Sequence, residues 1–267
     1  MKAILAILFI TALGSQTYAQ SSDAIFTDLD FNQQDFSDMS KDLTGAFSFT
    51  TNSSASSLGS LWGFEVGLVA GITPADNIKR IAEEMSGDAQ DELKYLPSGG
   101  LIGGVALPFG IGVELNLIPK LDFGDVSFSN TQIAARWEIT NMIPIVGAFS
   151  PLKLALRLSH GNTGFDYSSG EESAEISLKS NEIAALASVN LILIEPYLSV
   201  SHVKSTGDLD AESKNPLFPL TRSFDSSFKG TKLTTGLLFK LALIRFGLEY
   251  STLNDIERYT AKLSFKI

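Results

Sequence analysis

The sequence contains no cysteine, only two histidines, and no apolar run long enough for a membrane-spanning helix. Without cysteine there are no disulfides, so an exported domain of this chain must rely on an extensive hydrogen-bonded sheet. His160 and His202 stand alone, which predicts neither a metal site nor a cofactor. An enzyme would need a serine activated by one of these histidines. Because no G-x-S-x-G or phosphate-loop motif is present, we expect no enzymatic activity.

Basic residues are also scarce: the chain has 20 lysines and arginines against 30 aspartates and glutamates, and its formal net charge is −10. A chain of this charge repels polyphosphate, so nucleic acid is not an expected partner. The same balance predicts no basic patch for anionic lipid headgroups.

The first nineteen residues have the pattern of a secretory signal peptide. Lys2 supplies a positive charge, the stretch 3–13 is apolar except for Thr11, and Ala19 ends a suitable cleavage sequence. The apolar stretch is shorter than the roughly 20 residues that a spanning helix needs. We therefore predict a signal peptide at residues 1–19 and export of the chain. The alternative is an N-terminal anchor or a buried helix.

Apolar residues alternate with polar or small residues along much of the remaining chain. From Trp62 to Ile72, apolar side chains on one face alternate with glycine and Glu65 on the other. The same period of two recurs at 111–117, 132–139, 152–159, 244–251 and 259–267, with weaker strands at about 183–191, 197–203 and 233–240. The clearest of these segments suit strands of about 9–11 residues that cross a bilayer. The apolar residues change parity between Leu178 and Ile183, which predicts a bulge or a break.

Ten charged side chains fall on the polar face of these predicted strands. A charge that faces lipid costs about 2–4 kcal/mol at the bilayer midplane, so we place these residues inside a closed barrel. They are Glu65, Glu114, Arg136, Glu138, Lys153, Arg157, Arg245, Glu249, Lys262 and Lys266. Two interpretations stay open: a salt-bridged lumen that serves stability, or a narrow polar path or binding cavity. Side chains nearly fill a barrel of about eight to ten strands, so free diffusion of large solutes is not expected.

The connections favour a membrane barrel over a soluble β domain, in which the charged face would meet water. We predict tight, apolar connections at 117–121, 191–196 and 240–243, alternating with long ones at 73–98, 161–175 and 204–230. Short periplasmic turns alternate with long external loops in this way. The predicted fold is an all-β antiparallel transmembrane β-barrel over residues 59–267, with about ten strands and with eight or twelve as alternatives.

Residues 20–58 do not fit the barrel pattern. They are polar and acidic, with phenylalanines spaced along them at Phe26, Phe31, Phe36, Phe47 and Phe49. This segment is either a mobile periplasmic tail or a plug folded into the lumen with its aromatic rings packed on the wall.

A helix is predicted in the external loop that follows the first strand. Thr73 is the expected N-cap and Pro74 the first helical residue, and the helix should end near Ser86. Apolar residues share one face of this helix, and the candidates for lid contacts are Ile78, Ile81 and Met85. The helix either covers the barrel mouth as a lid or packs against neighbouring loops. The glycine-rich stretch 98–104 is predicted to lead into the strand that ends at Leu117.

One part of the chain resembles a known group of proteins. The segments Phe109–Pro119, Asn141–Pro144 and Pro151–Leu156 are similar to an uncharacterised family of Gram-negative outer-membrane proteins, in which strands end in Ile-Pro turns. That family is distantly similar to long-chain fatty-acid transporters, although their N-terminal hatch signature is absent from this sequence. The resemblance implies an outer-membrane barrel and supplies no functional residues.

These observations together predict an outer-membrane β-barrel that binds or passes a small apolar or amphipathic molecule. The alternative is a structural or surface-interaction barrel with a filled lumen and no transport. The expected partners are the lipid bilayer of the outer membrane, the barrel-assembly machinery during insertion, and a small hydrophobic ligand.

Overall fold

The computed structural model describes residues 31–58, 62–86, 91–140, 151–214 and 220–266. The predicted signal peptide, Phe26 and the segment 141–144 lie outside these residues. The signal peptide and its cleavage therefore stay predictions.

Ten antiparallel strands form a closed barrel in which each strand pairs with its neighbours in the chain. The first and last strands close the ring, with Glu65 opposite Lys266 and Ile72 opposite Tyr259. The predicted fold class and the strand number of ten are confirmed. The strands are β1 (Gly63–Pro74), β2 (Tyr95–Ala106), β3 (Ile111–Phe123), β4 (Val126–Glu138), β5 (Leu152–Ser169), β6 (Glu172–Val189), β7 (Ile194–Ser213), β8 (Leu220–Leu241), β9 (Ile244–Leu253) and β10 (Ile256–Lys266).

The side chains that point out of the barrel form an apolar band. Trp62, Phe64 and Val66 are each more than half exposed, whereas Glu65 between them is buried. In water, so much exposed apolar surface would promote aggregation, but it suits contact with hydrocarbon. Aromatic rings lie towards both margins of the band: Trp62 at the start of β1, and the adjacent Tyr250 and Tyr259 on β9 and β10. This is the architecture of a transmembrane β-barrel.

The two ends of the barrel differ. The terminal end, where β1 begins and β10 finishes, carries short connections such as Leu107–Gly110 and Ala242–Leu243. The distal end carries the connection with the predicted helix, here α2 (Asp76–Ser86), followed by a 3-10 turn (Asp91–Lys94). Strands β5 to β8 are 18 to 22 residues long and extend beyond the others at the distal end.

Several predicted connections are wrong. The segment 117–121 is not a turn but part of β3, where the pairing with β4 shifts between Ile118 and Leu121. Pro119 lies inside this shift and cannot donate a ladder hydrogen bond, which explains the irregularity. The supposed long loop 161–175 is strand except for a tight turn at Gly170–Glu171, where Gly170 has a φ of 59°. Most of 204–230 likewise belongs to β7 and β8.

The glycine-rich stretch belongs to a strand of its own. It lies in β2, which pairs with β1 along its whole length, rather than leading into the strand that ends at Leu117. Gly99 shows why glycine is needed in this stretch, because a Cβ at this position would lie 2.6 Å from the Val69 carbonyl oxygen. The close approach of β1 to β2 therefore depends on glycine.

Residues 31–58, here called the plug, lie inside the barrel. They form α1 (Gln33–Phe47), which begins with a capping box at Asn32, and an extended segment that runs to Leu58. The apolar face of α1 packs against inward side chains near the distal end. Of the two alternatives for residues 20–58, the plug therefore applies to residues 31–58. The buried cluster includes Phe36, Met39, Leu43 and Phe47 from the plug, and Phe165, Ile176 and Leu178 from the wall.

None of the described helices is long and apolar enough to cross a membrane.

Candidate functional site

The plug backbone is held by donors on the inner wall. An extended segment without a strand partner needs such donors, because buried carbonyl groups otherwise lose their hydrogen bonds to water. Arg136 Nη1 donates to the Ser54 carbonyl at 2.6 Å, Arg258 Nη1 to that of Ser48 at 2.6 Å, and Lys232 Nζ to that of Phe49 at 3.0 Å. Asn116 Nδ2 donates to the Thr50 carbonyl at 3.0 Å, and Gln132 donates to that of Phe47.

The hydroxyl groups of the plug serve the wall in return. Thr51 and Ser53 both donate to Glu114, at 3.0 and 2.9 Å. Thr50 donates to Glu249 at 2.8 Å. Nearer the terminal end, Ser56 donates to Glu195 at 2.5 Å, and the Ser57 amide to Glu138 at 2.6 Å. The serine- and threonine-rich composition of residues 48–57 therefore matches the carboxylates of the lumen.

The structure places all ten sequence-predicted lumen residues on the inner face, and nine of them form ion pairs. Arg136 contacts Glu114 at 3.1 Å, with both side chains at most 3% exposed. The other pairs are Lys153–Glu138 at 3.1 Å, Arg157–Glu182 at 3.3 Å, Arg245–Glu65 at 3.8 Å, Lys262–Glu65 at 2.9 Å and Arg258–Glu249 at 4.0 Å. Lys266 lies at the terminal end, in the electrostatic field of Arg245 and Glu65.

Five further charged residues of the lumen were not predicted from the sequence. Lys232 pairs with Glu182 at 2.5 Å, and Lys240 with Glu195 at 3.3 Å. The fifth, Arg258, contacts both the plug backbone and Glu249. Arg258 has the same parity as Thr260 and Lys262, so extending the predicted strand 259–267 by one residue would have found it. Glu195 and Lys240 were missed because both fall in predicted tight connections.

At the distal end, a carboxylate of the plug caps α2. Asp42 accepts hydrogen bonds from the backbone amides of Asn77 at 2.9 Å and Ile78 at 3.0 Å, and from the Asn77 side chain at 2.8 Å. The prediction that Thr73 is the N-cap and Pro74 the first helical residue is wrong, because both residues belong to β1. The helix itself is confirmed, and it includes Met85.

Two further contacts join α2 to the plug. Ile78 and Ile81 are at most 1% exposed and lie in the apolar cluster around α1. Arg80 contacts Asp38 at 3.3 Å and Asp35 at 3.7 Å. The helix therefore packs on the plug from the distal side, which is the position that the lid interpretation requires.

A small cavity lies at the contact between the plug and the wall. A cavity lined by Phe47, Asn116, Gln132 and Arg258, among others, has a volume of about 10 Å³. A space of this size holds about one water molecule.

The two histidines point outward. His160 and His202 are exposed, and His160 Nδ1 lies 2.9 Å from Asn181 Oδ1. Within the described ranges, no group of histidine and acidic side chains could hold a metal ion.

Three lysines lie together on the outer surface of the long strands, although the net charge predicts no basic patch. Lys179, Lys204 and Lys229 are exposed on β6, β7 and β8, and strand pairing brings these strands together. Net charge could not predict this grouping, because it does not specify where on the surface the charged residues lie.

Comparisons with solved structures find several β-barrels of low similarity. The chain covers 88% of the translocator domain of the autotransporter NalP from Neisseria meningitidis, with 78% of its own length, 12% identity and a TM-score of 0.39. The chain covers 96% of the outer membrane protease OmpT from Escherichia coli with 77% of its own length, at 9% identity and a TM-score of 0.37. It covers 100% of the attachment invasion locus protein Ail of Yersinia pestis with 78% of its own length, at 11% identity and a TM-score of 0.36. Similarity at this level carries no argument about activity.

No curated protein matches the sequence. A model of a protein family of unknown function, DUF6588, matches residues 8–267. Since this match covers nearly the whole chain, the protein belongs to the DUF6588 family.

Proposed function

We propose that the protein is a closed β-barrel of the outer membrane with a structural or surface-interaction role. The observation that carries this proposal is the plug, whose residues 46–57 form hydrogen bonds with buried wall side chains along the lumen. An open conduit would leave these inward charges to solvent, whereas here they are paired and largely buried. Insertion would then involve the barrel-assembly machinery.

The long strands support a role at the cell surface. In outer-membrane barrels the longer extensions face outward, so we place the distal end, which carries α2 and the extensions of β5 to β8, on the outside. There the extensions of β5 to β8 carry exposed polar residues such as Asn162, Lys204, Asp210 and Glu212. This part of the barrel stands clear of the apolar band and presents a polar surface to other molecules.

Passage of a small apolar or amphipathic molecule is the second candidate, and one observation favours it. Between described residues, no backbone–backbone hydrogen bond joins the plug to a strand. The plug could therefore leave the lumen without breaking the sheet. Passage requires this displacement, since the plug occupies the lumen.

A disulfide tether distinguishes the two candidates. A Cβ built on Gly247 of β9 would lie 3.4 Å from the Asn52 Cβ of the plug, close to the usual separation in disulfides of about 3.5–4.5 Å. The double variant Asn52→Cys/Gly247→Cys should cross-link on oxidation, and the chain has no other cysteine to compete. For the closed barrel we expect no channel steps in planar bilayers, whether the variant is oxidised or reduced and with or without a fatty acid.

Channel steps in the wild type and in the reduced variant that disappear on oxidation would contradict the closed barrel and support gated passage. The single variant Gly247→Cys is the matched control, because it carries the same wall substitution and cannot form the tether.

A further inference from the structure

The outward faces of β5 to β8 are arranged in rows of distinct character. Strand pairing aligns His160, Asn181, Lys204 and Lys229 in one row across the four strands. The next row towards the distal end consists of Asn162, Lys179, Thr206 and Ser227. These two rows are called the basic rows here.

The basic rows lie between an apolar and an acidic surface. On the side of the terminal end, the rows contain Leu156, Leu158, Ile183, Val200 and Leu233 of the apolar band, together with His202. On the distal side, the next two rows contain Asp166, Glu175, Asp208, Asp210 and Asp225. The lysines thus begin where the contact with hydrocarbon ends.

The lysines of the basic rows lack partners within the part of the chain that the structure describes. No salt bridge or side-chain hydrogen bond involves Lys179, Lys204 or Lys229, although Lys120 and Lys214 on the same surface pair with Asp166 and Glu212. Lys204 and Lys229 are directly opposite each other on β7 and β8. Like charges in this position destabilise a strand pair, and an anion between them would remove the repulsion.

An apolar concavity adjoins the same rows. It has a volume of about 490 Å³, and its lining includes Ile133, Ala135, Leu158 and Ile183 with His160 and Asn181 at its polar margin. Ile133, Leu158 and Ile183 are each more than half exposed, so this concavity opens outward from the wall. The small side chain of Ala135 leaves space between its larger neighbours.

We propose that this surface is a lipid-binding site, in which the basic rows bind the phosphate of an anionic lipid headgroup and the concavity holds part of an acyl chain. Both halves of such a ligand meet a matching surface at the edge of the apolar band. A soluble polyanion is disfavoured, because the acidic rows stand between the lysines and the aqueous phase. The site lies on the outside of the wall, so it is independent of whether the lumen conducts.

Native mass spectrometry of the detergent-solubilised protein tests the site, with phosphatidic acid as the probe and phosphatidylcholine as the zwitterionic comparison. We expect the wild type to retain phosphatidic acid in preference to phosphatidylcholine. A lysine near an anionic surface contributes about fivefold to binding, so Lys179→Gln/Lys204→Gln/Lys229→Gln should weaken retention of phosphatidic acid by about a hundredfold. Ala135→Phe, which fills the concavity, should weaken the binding of both lipids and leave the lysines in place.

The matched control is Lys120→Gln/Lys214→Gln, which also removes exposed lysines but only ones that already pair with carboxylates. This control should bind phosphatidic acid like the wild type, and a heat-modifiability gel verifies that each variant is folded. Unchanged binding by the folded triple variant would overturn the proposal. So would displacement of the lipid by an equimolar amount of inorganic phosphate, since the site would then recognise a free anion rather than a lipid.

Discussion

At the scale of single residues, the buried acids of this protein depend on partners that are distant in sequence. Glu114 accepts hydrogen bonds from Thr51 and Ser53 and pairs with Arg136. Burying a charge is costly, and removing one partner of such a pair leaves the other uncompensated. The alternation of the strands predicted that Glu114 and Arg136 point inward. It could not predict the plug hydroxyls, because nothing in the pattern specifies which part of residues 20–58 faces which wall residue.

Asp42 shows what burial does to an acid at the contact between plug and α2. Desolvation by burial dominates and raises the pKa of Asp42 from 3.8 to about 6, although hydrogen bonds from Asn77 and Ile78 lower this pKa. The nearby Asp76 raises the pKa further. Because the folded-state pKa exceeds the unfolded value, this group stabilises the fold fully below about pH 4, and the contribution is lost as the pH rises through about 6.

The first prediction concerns the substitution Asp42→Asn. The difference between the two pKa values corresponds to about 3 kcal/mol of unfolding free energy. Asparagine does not titrate, so the variant should lose the decrease in stability that Asp42 contributes between about pH 4 and pH 6. Guanidinium unfolding in detergent micelles across this range measures the effect.

Asp38→Asn is the control for this experiment. Burial raises the pKa of Asp38, but hydrogen bonds from Lys41 and Gln34 and the charges of Lys41 and Arg80 together lower the pKa by more, so its net shift is downward. Asp38 therefore contributes stability that is present at higher pH and lost on acidification, the opposite sign to Asp42. If the stability of Asp42→Asn retained the full pH dependence of the wild type, the claim that Asp42 lowers stability as the pH rises would be contradicted.

At the scale of the elements, β6 explains where the sequence pattern misleads. The change of parity between Leu178 and Ile183 predicted a bulge or a break, and this is wrong: β6 pairs with β5 in continuous register from Glu172 to Val189. Ile176 and Leu178 point inward onto the apolar face of α1, whereas Ile183 points outward. The lumen is apolar near the distal end and polar elsewhere, so the apolar residues change faces while the strand stays regular.

The same reasoning explains which elements were predictable. Strands with a charged inner face and an apolar outer face, such as β9 and β10, follow from their alternation. Strand β2 has glycine and apolar residues on both faces, and its glycine-rich part was mistaken for the entry into β3. The basic rows were missed because their lysines are widely separated in the sequence and meet only through the register of two long hairpins.

The second prediction tests the assignment of faces on β9. Leu248 is 46% exposed on the outer face. Leu248→Arg places a charge against hydrocarbon at a cost of about 2–4 kcal/mol if the residue lies near the midplane, and should impair assembly into vesicles. Leu248→Ile is the control and should assemble like the wild type. Both are compared by heat-modifiability gels, and equal assembly of the arginine variant would mean that this face does not meet lipid.

At the scale of the whole molecule, the protein consists of a plug, a wall and an outer surface with different chemistry. The plug and the wall satisfy each other's buried polar groups, α2 covers the plug from the distal side, and the outer surface passes from apolar to basic to acidic rows. We therefore propose that the lumen charges stabilise a closed barrel and that other molecules bind on the outside.

Cysteine accessibility in the intact protein tests this account most directly. Ser54 lies in the middle of the extended plug segment and is 3% exposed, whereas the Lys214 side chain at the distal end is 70% exposed. Ser54→Cys and Lys214→Cys each give a protein with a single cysteine, and both are reconstituted in vesicles and treated with a water-soluble maleimide. The account predicts rapid labelling of Lys214→Cys and protection of Ser54→Cys until the protein is unfolded. Equal labelling rates for the two folded variants would show that the lumen is open to solvent and would contradict the account.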